Sequence, residues 1–341
     1  IHIVTPPVPA NADDEILDLQ DGEQDSDNDG DENDDVDNEH GHDGAMTRDL
    51  DDKTDAYISK QTGGSILPTG RTVGVEIEFY TSRQARQQLC ETLPEGFGLS
   101  EDGSLNDEDD HSGIEIRTPR LAGLRGEMAL KKVCALLAEN DARVNTRCGL
   151  HVHIGGEDYI DNYDKVKSLL LTYLVFEDVL FSFLPRSRRS NRYCINLRDR
   201  FHIEEVLRVS SYAKLEALWY REMNDDTLTQ LKATRGSNTR YVGLNLHSMF
   251  HAGHAEVRHH SGTTNYEKII NWVALNVHLF DRVRWIDDCD ILAARHEVRL
   301  ARKTKMFFEL CSIPETLRTF YLKRQKLFAL DTREEDDNTT I

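Results

Sequence analysis

Five short segments of this chain alternate aliphatic residues with ionisable or amide residues. Side chains of a β-strand point alternately to its two faces, so each segment predicts a strand with one apolar and one polar face. The apolar faces need a covering layer, whereas the polar faces can line a cleft. The segments are VEIEF (75–79), IEIR (114–117), LHVHI (150–154), LNLH (244–247) and AEVR (255–258).

The polar faces of these strands contain only Glu, His, Arg and Asn. One charged pair at i and i+2 is common on an exposed sheet face, but such faces are usually rich in Lys, Thr, Ser and Gln. Carboxylates, imidazoles and guanidinium groups are the side chains that ligate metal ions and bind phosphates. Five strands of this design therefore favour a shared functional face.

Apolar residues at helical spacing elsewhere predict helices that cover the apolar side of the sheet. The predicted fold class is α+β, an antiparallel sheet with helices packed on its apolar face. Besides the strand LHVHI (150–154), we predict strands over 71–80, 113–119, 239–250 and 254–263 and a turn over 98–105. We predict helices over 124–140, 163–184, 203–222 and 265–286, a basic loop over 185–194, and further helices to about 327.

The acidity of the chain is concentrated at its N-terminus. Residues 1–60 contain 20 acidic and three basic residues, a net charge of −17, whereas the rest of the chain carries −3. So polar a segment cannot bury enough apolar surface to offset its ordering entropy. We predict a disordered acidic tail over 1–65, a folded domain over 66–330 and a disordered tail over 331–341.

Charge, cysteine spacing and hydropathy exclude several classes of protein. The nearly neutral folded part lacks the basic footprint of a nucleic-acid-binding protein. No run of apolar residues is long enough for a membrane span, so we expect no membrane partner. The six cysteines form no metal-binding or disulfide pattern, which favours a reducing, cytoplasmic compartment. Cys148 and Cys194 are expected to be packing residues.

The two carboxylates of Glu76 and Glu78 would repel each other unless a cation lies between them. Mixed carboxylate and imidazole ligands suit Mn²⁺, and Mg²⁺ when waters and phosphates complete its coordination. Arg258 offers a planar fork for a phosphate. Metal ions with an arginine are typical of phosphoryl transfer, and the chain has neither a P-loop nor a kinase glycine loop.

Five motifs, in this order, resemble the amidoligases, which are grouped with glutamine synthetase and glutamate–cysteine ligase as carboxylate–amine ligases. They are GVEIEF, EDGSL, EIRTP, CGLHVHIG and AEVRHHSGT, and the resemblance covers about residues 70–285. It implies a glutamine-synthetase-like curved antiparallel sheet that forms half a funnel. It also implies an ATP-dependent ligase that forms an amide through an acyl phosphate.

The resemblance also implies roles for individual residues. Glu76, His151 and Glu256 would hold the metal ion nearest the transferred phosphate, and Glu78 and Glu115 a second ion. Arg258 would neutralise the transferring phosphoryl group, and His153 would lie near the substrate. Asp102 would orient the amine or a water. The expected nucleotide-binding residues are Arg117, Arg186, Arg192 and Arg258, with Arg188 and Arg189 in the same basic loop.

The expected cofactors are ATP with Mg²⁺ or Mn²⁺. The expected partners are a carboxylate and an amine, each a small molecule, peptide or protein, and the sequence leaves the oligomeric state open. A metal-dependent phosphoesterase and a non-catalytic nucleotide-binding protein on the same fold remain alternatives.

Several further expectations concern single residues. Glu177, in an apolar helix, would need a partner if buried, such as an arginine of the following loop. Of His251, His254, His259 and His260, some are expected to shape the site. Without metal, Glu256→Ala is expected to be neutral or mildly stabilising, because it relieves carboxylate repulsion.

Overall fold

The computed structural model of the chain describes residues 66–67, 70–105, 111–160, 162–189, 191–234 and 237–338, without the side chains of 111 and 330–338. The predicted acidic tail over 1–65 lies outside these residues. Within the described ranges, no helix is long and apolar enough to cross a membrane.

One antiparallel sheet of six strands organises the described residues, with the strand order β2-β3-β1-β4-β6-β5. The sheet and the helices packed on it confirm the predicted α+β class. The strands are β1 (Val73–Ser82), β2 (Gly98–Glu101), β3 (His111–Arg117), β4 (Gly149–Gly155), β5 (Leu244–Asn245) and β6 (His254–Ser261).

Twelve α-helices accompany the sheet in the described part of the chain. They are α1 (Arg83–Thr92), α2 (Gly123–Glu139), α3 (Tyr163–Ser182), α4 (Leu197–Arg200), α5 (Ile203–Leu207), α6 (Tyr212–Tyr220), α7 (Asp225–Ala233), α8 (His247–Ala252), α9 (Tyr266–Val283), α10 (Asp288–Leu292), α11 (Leu300–Leu310) and α12 (Glu315–Asn338). The last helix overlaps the predicted tail over 331–341 as far as Asn338.

The alternation in the sequence divides the sheet into two faces as predicted. In β1, Val75, Ile77 and Phe79 are buried in the same hydrophobic core as the apolar residues of α3 and α9. Glu76 and Glu78 lie at the opposite parity of the strand. The core therefore lies between the sheet and the helices, and the other face of the sheet is free to carry polar side chains.

The predicted strand over 239–250 is wrong for most of its length. Only Leu244–Asn245 pair with β6, and α8 begins at His247. The side chain of Asn245 accepts a hydrogen bond from the backbone N–H of His247 at 2.9 Å. An Asn side chain that accepts from the N–H two residues further on forms an Asx turn, which turns the chain out of the strand just before α8.

Other boundaries also differ from the sequence prediction. The turn predicted over 98–105 contains β2, which pairs with β3, and the helix predicted over 203–222 is two helices, α5 and α6. Ser211 separates them, because its side chain caps α6 by accepting from the backbone N–H of Lys214. No sequence pattern predicted the helices α1 and α7.

A β-bulge interrupts the pairing of β4 with β6 at the centre of the sheet. Leu150 pairs with His260 and Val152 with Val257, so Arg258 and His259 together lie opposite His151. A bulge shifts the alternation of side chains beyond it. His260 is accordingly buried against Trp272 of α9, and His259, which keeps the apolar parity of Val257, is buried against Tyr173 and Phe181 of α3. They do not lie beside Arg258 on the polar face.

Candidate active site

The polar face of the sheet lines a cleft in which the predicted motifs converge. Strand register places Glu76 opposite both Arg117 and His151, and Glu78 opposite Glu115. The described residues that line the cleft are Glu76, Glu78, Glu101, Asp102, Ser104, Glu115, Arg117, Arg147, Gly149, His151, Arg188, Tyr193, Arg240, Tyr241 and Arg258.

The imidazole of His151 lies between the two carboxylates of β1. Its Nδ1 is 3.0 Å from Oε2 of Glu76, and its Nε2 is 3.4 Å from Oε1 of Glu78. Glu78 also accepts a 2.6 Å hydrogen bond from the backbone N–H of Gly149. A polar group with this many partners is held in one orientation, so these side chains form a preorganised set of donors.

The carboxylate of Glu256 has a partner at each oxygen. Oε1 accepts a hydrogen bond from Nη1 of Arg258 and lies 3.6 Å from Nδ1 of His151. Oε2 accepts a 2.7 Å hydrogen bond from the amide of Asn245. Arg258 and Asn245 therefore fix Glu256 beside His151, although Glu256 is not among the described residues that line the cleft.

Glu115 forms the other side of the site. Its Oε1 accepts a 2.5 Å hydrogen bond from Nε of Arg117, whose Nη2 donates to Ser100 at 2.7 Å. Asp102 lies in the turn after β2, where its side chain accepts from the backbone N–H of Ser104 at 2.7 Å. Asp102 thus helps to form the turn, and its carboxylate also lies near those of Glu78 and Glu115.

Burial and neighbouring charges move the pKa values of these carboxyls in opposite directions. Burial raises the pKa of Glu115 well above its ordinary value, and the nearby Glu76 raises it further against the effect of Arg117. Burial also opposes ionisation of Glu256, but Arg258, His153 and His151 outweigh it and lower its pKa to about 2. His153 and His151 likewise hold the pKa of Glu76 well below its usual range.

His153 occupies the same face one strand repeat beyond His151. Its Nε2 is 3.0 Å from Oε1 of Glu76, and its ring centroid lies 5.1 Å from that of His254. Burial acts to lower the pKa of His153, but Glu76 outweighs this effect and raises it. His153 therefore carries a positive charge more readily than an ordinary histidine.

Three groups of described side chains have ligand atoms that all lie within 4.8 Å of one another. They are Glu76, Glu115 and His151; Glu76, His153 and Glu256; and Glu78, Asp102 and Glu115. Carboxylate oxygens with at most one imidazole are donors that suit Mn²⁺ or Mg²⁺. The residues present therefore fit divalent ions of this kind.

A family model described as "putative amidoligase enzyme" matches residues 81–280, more than half of the chain. The chain belongs to this amidoligase family. The matched segment includes β3, β4 and β6, and hence Glu115, His151 and Glu256, and it begins just after Glu76 and Glu78. The description of the family supports a ligase-type enzyme. No curated protein matches the chain significantly.

In this amidoligase-family protein, most of the predicted site residues lie together, but the basic loop does not lie as expected. Arg186 and Arg192 are absent from the described residues that line the cleft, whereas Arg188 lines it. Arg192 stacks over Tyr193, with its guanidinium carbon 4.7 Å from the ring centroid. The structure thus brings Arg117 and Arg258, but neither Arg186 nor Arg192, to the cleft.

Several residues of the cleft could not be recognised from the alternating sequence pattern. Arg147, Arg240, Tyr193 and Tyr241 line it, but they lie outside the alternating motifs and gave no periodic signal. Gly149 is also required, because a Cβ there would lie 2.8 Å from Nε2 of His151. Its position at the start of CGLHVHIG was the available signal, since a glycine within a strand often marks a close approach.

Glu177 is buried, but its partners are backbone groups. Its two carboxylate oxygens accept from the N–H groups of Leu197 and Arg198, at 2.8 and 3.3 Å, at the start of α4. His259 lies on its other side, with Nε2 3.5 Å from Oε1. No side chain of the basic loop serves as its partner among these contacts.

Proposed function

We propose that the chain is an ATP-dependent ligase that joins a carboxylate to an amine through an acyl phosphate. The observation that supports this most strongly is the convergence of four glutamates, His151 and Arg258 on one sheet face, chiefly within the segment that matches the amidoligase family. A cleft with both metal ligands and arginines suits a substrate that carries phosphates.

Two groups of ligands on the polar face of the sheet would hold the metal ions of the proposed site. Glu76, His151 and Glu256 would hold one ion, and Glu78 and Glu115 a second. Mg²⁺ or Mn²⁺ bound there would neutralise the charge of the phosphate oxygens and help to orient ATP. Because Arg258 and His151 already lie near Glu256, its carboxylate is held ionised and ready to bind a cation.

The reaction has two steps in this proposal. A carboxylate oxygen of the first substrate forms a bond to the γ-phosphorus of ATP while the bond to the β,γ-bridging oxygen breaks and ADP leaves. The amine then attacks the acyl carbon, phosphate leaves, and the amine loses a proton. Arg258 would stabilise the negative charge of the transferring phosphoryl group, and Arg117 would contact the nucleotide.

His153 and Asp102 would act on the substrates. Glu76 raises the pKa of His153, so this imidazole can carry a positive charge close to the substrate carboxylate. Asp102, whose carboxylate lies near those of Glu78 and Glu115, would orient the incoming amine. The carboxylate and the amine are small molecules or groups of a peptide or protein.

A coupled assay of ADP release with panels of carboxylates and amines tests the proposal. Release that requires Mg²⁺, a carboxylate and an amine together is the expected result, and E76Q/E78Q should abolish it. Glu91→Gln, on the exposed side of α1, is the matched control that should leave it unchanged. Hydrolysis of a phosphoester without ATP would favour a phosphoesterase. ATP–Mg²⁺ binding without turnover of any pair would favour a binding protein.

A further inference from the structure

Arg188 is a buried arginine that lines the cleft but directs its guanidinium group at the backbone. It ends a short 3₁₀-helix, Arg186–Arg188, and only 2% of its surface is exposed. Its Nη2 donates to the carbonyl of Arg258 at 2.8 Å, and its Nε donates to the carbonyl of His259 at 3.2 Å. Both carbonyls belong to the bulge of β6.

Arg188 donates to these two carbonyls at a point where the pairing of β6 is irregular on both sides. The N–H of Arg258 donates to the carbonyl of Gly243 at 2.8 Å, but β5 begins only at Leu244 and comprises two residues. On the other side, the bulge interrupts the ladder with β4. A buried carbonyl without a partner is costly, and the planar fork of Arg188 supplies both hydrogen bonds.

The bulge determines which side chains of β6 reach the site. In a regular strand, Glu256, Arg258 and His260 would share one face. In the structure Arg258 lines the cleft, whereas His260 packs on Trp272 in the core, 5.2 Å between ring centroids. Arg258 itself belongs to the bulge, so the hydrogen bond from Arg188 to its carbonyl fixes the backbone from which the side chain of Arg258 reaches Glu256.

We infer that Arg188 is a positioning residue, which holds the β6 bulge and thereby sets the position of Arg258, and that it does not bind the nucleotide. This inference rests on the proposed function for its effect on turnover. It concerns the geometry of two donors, and not the positive charge alone. Lysine keeps the charge but lacks the rigid fork that serves two carbonyls together.

The test compares Arg188→Lys and Arg188→Met with the wild-type chain, and Arg208→Lys, an exposed arginine after α5, serves as the control. We expect Arg188→Lys to lower kcat about as much as Arg188→Met, by on the order of 10²-fold, as small misplacements do. The KM for ATP should stay within about threefold, because Arg188 makes no contact with ATP in this account. If Arg188→Met does not fold, Arg188→Lys decides the matter alone.

Near-normal kcat in Arg188→Lys would overturn the inference, because charge alone would then suffice. A raised KM for ATP with normal kcat would overturn it as well, since that is the effect of losing a nucleotide ligand.

Amide hydrogen exchange separates this inference from the proposed function, because it needs no turnover. We expect the amides of residues 257–261 to exchange faster in Arg188→Lys than in Arg208→Lys. Faster exchange in a chain that shows no ligase activity would support the role of Arg188 in holding the β6 bulge and contradict only the proposed function. Unchanged exchange at these amides would contradict the role of Arg188 in holding the bulge.

Discussion

Replacing Glu256 by Gln in metal-free buffer tests how the site is stabilised before any ion binds. From sequence alone, repulsion among carboxylates predicts that Glu256→Ala is neutral or mildly stabilising, and the same reasoning extends to Glu256→Gln. The structure leads us to expect the opposite, because Arg258, Asn245 and His151 surround this carboxylate. The substitution removes the charge that compensates a buried guanidinium, Arg258, without changing the size of the side chain.

The magnitude follows from the pKa of Glu256, which falls from 4.5 to about 2 on folding. At about 1.4 kcal/mol per pH unit, the ionised carboxylate contributes roughly 3 kcal/mol near neutral pH. Breaking a buried ion pair by removing one partner also costs about 3–5 kcal/mol. Since the folded-state pKa is lowered, this contribution is present above pH 4.5 and is lost as the pH falls towards about 2.

Urea unfolding in EDTA near neutral pH measures this difference, and Glu115→Gln is a matched control in the same cleft. Burial and Glu76 raise the pKa of Glu115 well above its ordinary value, so its carboxyl gains little from ionisation without metal. Because a carboxyl with a raised folded-state pKa costs stability near neutral pH, we expect Glu115→Gln to raise the free energy of unfolding, whereas Glu256→Gln lowers it. Equal effects of the two variants, or a neutral Glu256→Gln, would refute this reasoning.

Three further predictions concern other parts of the site and its scaffold. Gly149→Ala should weaken Mn²⁺ binding in a calorimetric titration, because its Cβ would lie 2.8 Å from Nε2 of His151; unchanged affinity would mean that His151 is not a ligand. His151→Ala should reduce bound Mn²⁺ far more than His153→Ala, and equal losses would contradict their separate roles. Asp158→Asn should destabilise the fold by about 1–3 kcal/mol, because the nearly buried Arg71 donates two hydrogen bonds to Asp158, at 2.8 and 2.9 Å. Since Arg71 lowers the pKa of Asp158 against the effect of burial, thermal unfolding should show this difference at neutral pH and lose it as the pH falls below about 4.

Local periodicity predicted the parts of the fold that depend on burial of one face. The strands around Glu76, Glu115 and His151 and the helices α2, α3 and α9 lie within a few residues of their predicted bounds. Glu76, Glu115 and His151 all occupy the polar positions of these alternating strands, so they share one face of the sheet. The centre of the candidate site could therefore be predicted without knowing the order of the strands.

Features that depend on single hydrogen bonds or on distant chain segments could not be predicted in this way. The Asx turn at Asn245 ended a segment whose alternation is typical of a strand. The bulge at Arg258 moved His260 to the core, although AEVRHHSGT has no glycine or proline at that point. Arg147 and Arg240 reach the cleft from positions that precede the alternating segments LHVHI and LNLH, so only the tertiary structure reveals them.

Titration of the metal-free chain with Mn²⁺, followed by calorimetry and electron paramagnetic resonance, tests the central claim most directly: the carboxylates and His151 on this sheet face form a metal site for ATP. We predict saturable Mn²⁺ binding that E76Q/E78Q abolishes and Glu91→Gln preserves, and tighter binding of Mn²⁺ when ATP is present. Equal binding of Mn²⁺ by the wild-type chain and E76Q/E78Q, with no effect of ATP, would contradict the account.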